Sequence, residues 1–306
     1  MAATAIPCCG VAPSGETIHF DHQTNIVWWD DINQMEHFIR RAEFSGAKKS
    51  LGFLAPTPSV PKLGEASPRA FEVMASFKPQ PASFGCAGGM KAAEGAASAG
   101  AMLGSPTIVQ DVQVAGYRAV TLKATDSAGL SKWLNEHDYK TTRQVDEWVA
   151  HYVKKQWFIT AFLVEGGVTK DVIMSFKTAT PFNPFYVPDE SLQGTPGMVD
   201  IYLVTRGDGE LTVGQGGLSV PAQWDNEIAR PYAGSLGDRL GLTEVEHPED
   251  LRVTYFSLPF RLANKEELYV HVSRHWEVEP FYLAGVVFLV AWRAALRVTK
   301  APASPT

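Results

Sequence analysis

A chain of 306 residues, 45% hydrophobic and 20% charged, with a mean hydropathy of −0.08, has the material for a sizeable folded core. Those values exclude an intrinsically disordered chain and a polytopic membrane protein. Lysine and arginine number 27 against 33 aspartate and glutamate, and with no basic block this excludes electrostatic capture of nucleic acid.

Met1 to Pro7 carries no basic residue and no apolar stretch of the roughly 7 to 15 residues that an export signal needs. The small residues before Cys8 nevertheless resemble the start of a chain from which a signal has been cleaved, so an upstream leader is expected. Pro7 disfavours a lipobox, which calls for a small residue before its cysteine. Cys8, Cys9 and Cys86 are the three cysteines, and they fit no zinc spacing. In an oxidising compartment Cys86 can pair with either member of the Cys8-Cys9 doublet. Three unpaired thiols packed as small hydrophobes, or a reactive thiol, are the alternatives.

Short apolar stretches at Asn25 to Trp29, Glu36 to Phe44 and Leu51 to Ala55, separated by turn residues, predict a meander of three antiparallel strands. Pro56, Pro58 and Pro61 end it. Residues 78–106 are dominated by Pro, Gly, Ala and Ser and predict a flexible excursion; an Ala-rich helix there would be weakened at Gly88, Gly89, Gly95 and Gly100. Alternation in Ile108 to Val114 and Tyr117 to Ala124 across Ala115-Gly116 predicts a hairpin. Asp126 caps a helix bearing Leu130, Trp133 and Leu134 on one face. Thr141 with Gln144 has capping-box spacing, and Val145, Trp148, Val149, Tyr152 and Val153 then fall on one helical stripe. Strands are predicted at Phe158 to Val164 and Val172 to Lys177, while the prolines of Pro181 to Pro188 forbid a central strand. Val199 to Thr205 and Glu210 to Val213 flank Gly207-Asp208-Gly209 as a second hairpin, and Arg252 to Leu258 and Leu268 to Val278 are the last strands.

Phe281 to Trp292 is uninterrupted apolar sequence, short for a bilayer span unless the helix runs on past a snorkelling Arg293. Glu277 and Glu279 precede it and Arg297 and Lys300 come after, an order that keeps the short tail cytoplasmic and the body outside. A membrane anchor that includes Phe281, Val286, Phe288, Val290 and Leu296 is one reading, and a buried helix or strand pair the other.

The familiar catalytic signatures, HExxH, GxSxG, a Walker A loop and an EF-hand, are missing from the sequence. Gly214, Gly216 and Gly217 read as turn rather than as a dinucleotide fingerprint. Tyr269, His271, Ser273, His275 and Glu277 share one face of a strand, but residues four apart on a strand stand roughly 13 Å apart, too far for His271 and His275 to hold one ion. A solvated polar face is the expectation, and His19 and His22 are read the same way. Glu244, Glu246, His247, Glu249 and Asp250 read as a hydrated acidic loop rather than a calcium site. No metal or cofactor is expected.

Cys8-Cys9-Gly10-Val11-Ala12-Pro13-Ser14-Gly15-Glu16, then Asn25-Ile26-Val27-Trp28 and Glu36-His37-Phe38-Ile39-Arg40, resemble a group of bacterial exported proteins catalogued as a domain of unknown function. Gly52 to Ser59, Ala124-Thr125-Asp126, Trp133-Leu134 and Ser175-Phe176-Lys177-Thr178 extend the resemblance in the same order, from about Cys8 to Ser257. The resemblance implies export through a signal peptide and, in some members, a carboxyl-terminal transmembrane segment. It transfers no activity and no catalytic residue.

The fold expected is α+β: largely antiparallel β-sheet with a consecutive pair of amphipathic helices, plus a C-terminal transmembrane helix. Residues 1–77 form a β-rich part, 78–106 the excursion, 107–279 an α+β part continuous with the first, and 280–306 the apolar helix and basic tail. The function expected is a non-enzymatic binding or structural module of the cell envelope. Its partners would be the membrane and an unidentified protein or surface ligand. The alternatives are an envelope enzyme, thiol-dependent through Cys8, Cys9 or Cys86 near a histidine such as His37 or else hydrolytic, and a cytoplasmic tail-anchored protein.

Overall fold

The computed structural model describes residues 10–13, 22–41, 52–79, 106–137, 139–164, 169–189, 197–243, 245, 250–260 and 265–273. In chain order the first elements are β1 (Gly10–Pro13), β2 (His22–Asp30), β3 (Met35–Arg41), β4 (Gly52–Thr57), β5 (Lys62–Glu65) and α1 (Ala70–Ser76). Next are β6 (Thr107–Val114), β7 (Tyr117–Lys123), α2 (Ser127–Glu136), β8 (Tyr139–Lys140), α3 (Arg143–Lys154), β9 (Phe158–Val164), β10 (Val172–Lys177) and β11 (Phe182–Asn183). Then come β12 (Met198–Thr205), β13 (Asp208–Val213), β14 (Ser219–Val220), β15 (Trp224–Glu227), α4 (Arg230–Leu240), β16 (Arg252–Pro259) and β17 (Leu268–Ser273).

The strands form three sheets, ordered β6-β7-β9-β4-β1-β8, β15-β16-β12-β2-β3-β10-β5 and β11-β17-β13-β14. Among the described ladders all are antiparallel except β2 with β12. The architecture is α+β, and its layers are set by which face each residue presents. Phe53, Ala119 and Phe162 of the six-stranded sheet meet Val27, Phe38, Met174, Ile201 and Phe256 of the seven-stranded sheet in one apolar layer. The outer face of the first sheet, with Leu54, Val120, Ile159 and Ala161, is covered by Leu130, Trp133, Trp148, Val149 and Tyr152 of α2 and α3. The outer face of the second, with Ile26, Trp28, Ile39, Ile173 and Val253, is covered by Phe71 and Met74 of α1 and by Leu236 and Leu240 of α4. Helices thus flank a pair of packed sheets on both sides.

Several local readings hold. β6 and β7 form the expected hairpin, turned at Ala115 (φ 52°) and Gly116 (φ 79°), the two positive φ values that a tight hairpin turn requires. Asp126 caps α2, its Oδ1 accepting from the Gly129 N–H at 2.7 Å. The stripe on α3 is buried at Val145, Trp148, Val149 and Tyr152. The proline-punctuated stretch gives only the two-residue edge strand β11.

Three readings are corrected. The third strand of the supposed meander does not pair with the second: β2 and β3 lie in the seven-stranded sheet, whereas β4 crosses to the other sheet between β9 and β1. The second supposed hairpin also divides. β12 pairs with β16 and β2, and β13 pairs with β17 and β14, so the turn at Gly207 (φ 104°) carries the chain from one sheet to another. Helix α3 is capped by Thr142, one residue later than expected, while the Thr141 hydroxyl accepts from Asn135 Nδ2 at 2.9 Å. Two helices, α1 and α4, carried no expectation.

Among the described residues no helix is long and apolar enough to cross a membrane. The anchor candidates Phe281, Val286, Phe288, Val290 and Leu296, together with Cys8, Cys9, Cys86 and most of the Gly/Ala/Pro-rich excursion, lie outside the described residues.

Two glycines test this packing. A Cβ on Gly52 would stand 2.8 Å from the Phe162 carbonyl oxygen and 3.0 Å from Val11 Cγ2, whereas one on Gly64 would meet Ile173 at an ordinary 3.7 Å. Gly52→Ala should therefore cost ~1–3 kcal/mol in urea unfolding, and Gly64→Ala well under that.

Candidate functional site

Register across the seven-stranded sheet brings together residues far apart in the chain. Trp28 lies opposite His37, His37 opposite Ser175, and Ser175 opposite Lys62, on the adjoining strands β2, β3, β10 and β5. All four stand in one cross-strand row. Toward β5 this row floors a cavity of about 270 Å³ whose further walls include Asp30, Asn33, Met35, Ile173, Leu242 and Val245. Its upper wall exists because α4 stops at Gly241, in the left-handed conformation at φ 91°, and the chain then turns over the sheet edge.

His37 is 7% exposed, and its Nδ1 lies 2.8 Å from Ser175 Oγ. Its Nε2 is buried without a hydrogen-bond partner. Burial lowers the imidazole pKa to about 4, against a smaller opposing pull from Asp30, so the ring is neutral at pH 7. Ser175 itself lines the cavity. Asp30 does not orient the ring: its Oδ1 accepts from the Ile32 and Asn33 N–H groups at 3.1 and 3.0 Å, and its Oδ2 from Asn33 Nδ2 at 2.7 Å.

Among the described residues two other carboxylates, Glu36 and Glu267, are fully buried, and their surroundings send them opposite ways. Burial raises Glu36 well above the usual carboxylate pKa, and the single N–H from Phe182 at 3.0 Å does not offset it. At Glu267 burial also pushes upward, but the bonds outweigh it and hold the pKa low. Lys155 Nζ at 2.8 Å and His151 Nε2 at 3.1 Å meet Oε1, while the Tyr152 hydroxyl at 3.0 Å and the Phe185 N–H at 2.8 Å donate to Oε2. Glu267 therefore fastens α3 to the proline-punctuated segment and is a structural group.

The residues singled out by sequence fall mostly elsewhere. His271 is exposed, 3.0 Å from Thr212 Oγ1, and His22 Nε2 pairs with Asp200 Oδ2 at 2.9 Å. Asp250 pairs with Arg206 at 3.0 Å. His275, Glu277, His19, Glu244, Glu246, His247 and Glu249 lie outside the described residues, among which no group of three His, Cys, Asp or Glu side chains could hold a metal. Sequence reasoning named His37 but not Ser175 or Lys62 as site residues. Both His37 and Ser175 stand in blocks that carry the family resemblance, which was the one signal pointing to them.

The fold and the site define an α+β protein of two packed sheets with helices outside each and a small mixed-polarity cavity at one sheet edge. A family model described as an uncharacterized protein conserved in bacteria, DUF2330, matches residues 2–210, and the chain belongs to that family. The match includes β2, β3, β5 and β10 beneath the cavity, while Gly241 to Val245 lies beyond it. No curated protein matches the chain. The crystal structure of baculovirus P35 is similar over 87% of this chain and 100% of that one at 7% identity and a TM-score of 0.40, a likeness too slight to argue from.

His37 and Glu36 give the fold opposite pH dependences. His37, depressed to about 4, contributes stability that is present above its unfolded pKa of about 6.5 and is lost as pH falls through 4, a loss of up to ~3 kcal/mol. Urea titrations between pH 7 and 4 should show His37→Gln flattening that fall. Glu36, raised, acts with the opposite sign: its contribution is full below about pH 4.3 and lost as pH rises toward its folded pKa. Glu36→Gln should accordingly stabilise the protein at pH 7 and make little difference at pH 4.

Proposed function

We propose that the chain is a non-enzymatic module of the bacterial cell envelope that binds a small ligand in the cavity over His37 and Ser175. The observation that carries binding over catalysis is the state of His37. A general base works best with a pKa near the working pH and a third group to orient it. Here the imidazole is held near 4 and Asp30, the carboxylate whose charge acts on it, is occupied by its own turn. What remains is a row of fixed hydrogen-bonding groups beside apolar walls, the composition of a ligand pocket.

The address rests on sequence. The Cys8 to Glu16 block and its successors resemble exported bacterial proteins, and the apolar run Phe281 to Trp292 has acidic residues before it and basic residues after. On this reading the run is a membrane anchor, and the body is presented outside the cytoplasmic membrane to a surface ligand. Protease added to spheroplasts should digest the body and leave a membrane-associated tail fragment; full protection with a soluble fractionation profile would reject this address.

A hydrolytic enzyme is the second reading, favoured by the 2.8 Å contact between Ser175 and His37. A fluorophosphonate probe separates the two. The binding reading expects no label on Ser175, and labelling that Ser175→Ala abolishes would install the hydrolase in its place.

A further inference from the structure

The size of the cavity and the state of its charged groups limit what can occupy it. An apolar cavity of about 150 Å³ takes one benzene ring. This one, at about 270 Å³, has room for a ring and a short substituent. Its most deeply buried apolar side chains are Ile173 and Leu242, each 4% exposed, and Val245 at 6%. An occupant seated against them exchanges water for aliphatic carbon, which favours an apolar body.

The charged side chains that line it, Asp30, Glu65 and Lys62, all have partners already. Asp30 is filled by its own turn, with two N–H groups on Oδ1 and Asn33 Nδ2 on Oδ2. Glu65 meets Lys170 Nζ at 2.7 Å, and Lys62 is engaged within the chain. His37, buried, carries no charge at pH 7. Ser175 is different. A hydroxyl has one donor and two acceptor positions, so its 2.8 Å bond to His37 Nδ1 leaves hydrogen-bonding capacity on a half-buried oxygen.

Resting on the binding reading above, we infer that the cavity takes an uncharged ligand the size of one substituted ring. Its apolar body lies against Ile173, Leu242 and Val245, and one neutral hydrogen-bonding group, such as a hydroxyl, meets Ser175. A charged ligand would give up its hydration here with every lining charge already committed, whereas a neutral polar group needs a single hydrogen bond. The site therefore discriminates against charge of either sign.

Ligand-observed NMR titration of the full chain with benzyl alcohol, benzylammonium and benzoate, which share a ring and differ in the charge of the polar end, tests this. Saturable binding of benzyl alcohol is expected, with each ion about tenfold or more weaker. Ser175→Ala should weaken benzyl alcohol about fivefold and leave toluene, which has no polar group, unchanged. Gly64→Val, which adds volume to the lining beside Ile173, should abolish binding of all four. Should that variant not fold, nuclear Overhauser contacts from benzyl alcohol to the methyl groups of Ile173, Leu242 and Val245 locate the site instead. Either ion binding this cavity as tightly as benzyl alcohol, or toluene and benzyl alcohol responding alike to Ser175→Ala, would overturn the inference while leaving the cavity as a binding site. If none of the four binds, the inference fails; if a broader panel of charged and neutral fragments also shifts the thermal unfolding of the parent chain no more than that of Gly64→Val, the binding reading falls with it.

Discussion

The apolar layer between the two large sheets is the constraint on which the rest of the molecule depends. Phe53 stacks on Phe162 at 4.6 Å and Tyr117 meets both edge-on, at 5.5 and 5.9 Å, so three strands of one sheet present a continuous aromatic surface to the other. Because α2 and α3 lie behind the first sheet and α1 and α4 behind the second, the central strands are apolar on both faces. Neither sheet can be moved without exposing two layers at once. The order of the strands expresses the same constraint: β2 and β3 sit between β12 and β10, and β4 sits between β9 and β1, so early and late parts of the chain are sewn into both sheets. Arg40, 1% exposed, enters this layer with its guanidinium 4.1 Å over the Phe53 ring, which tolerates the charge through the ring face.

This constraint also explains what could and could not be read from the sequence. Elements set by local chemistry were legible. The β6-β7 turn needs two positive φ values and has Ala115-Gly116, α2 needs a cap and has Asp126, and α3 shows its buried stripe at i, i+3, i+4 and i+7. Pairing was not legible, because alternation specifies register only when one face meets water. In Gly52–Thr57 all six residues are buried, so nothing in the pattern says which sheet the strand joins. α1 escaped notice because it is only seven residues long with no side-chain cap, and α4 because Pro231, Gly234 and Gly237 lower its helix propensity; both are held by burial against the sheet. His37, Ser175 and Lys62 form a row only after β3, β10 and β5 have paired, so no spacing along the chain could have shown it.

The same partial helix cover sets where the site lies. α1 and α4 shield Ile26, Ile39, Ile173 and Val253, but α4 ends at Gly241, over the edge where β5 closes the sheet. There an added Cβ on Gly241 would stand 2.9 Å from the Ser67 N and 3.0 Å from the Glu65 carbonyl oxygen, so the backbones approach closely on one side of the cavity and only side chains border the other. Gly64 contributes no side chain beside Ile173. The cavity is thus what two glycines and a helix end leave uncovered at the end of a polar row.

The buried carboxylates set that row apart from the other buried polar groups among the described residues. Glu36 and Glu267 have the same chemistry and the same complete burial, and differ in the number of donors aimed at them: one backbone N–H for the first, four groups for the second. Glu267 is consumed by those bonds and has nothing left to offer a ligand. Glu36 is enclosed between the sheets, where burial raises its pKa. His37 obeys the same rule, surrendering its charge to burial, but its partner Ser175 borders open space. A neutral imidazole thus stands against a hydroxyl at the wall of a cavity, where polar groups meet the apolar side chains of Ile173, Leu242 and Val245.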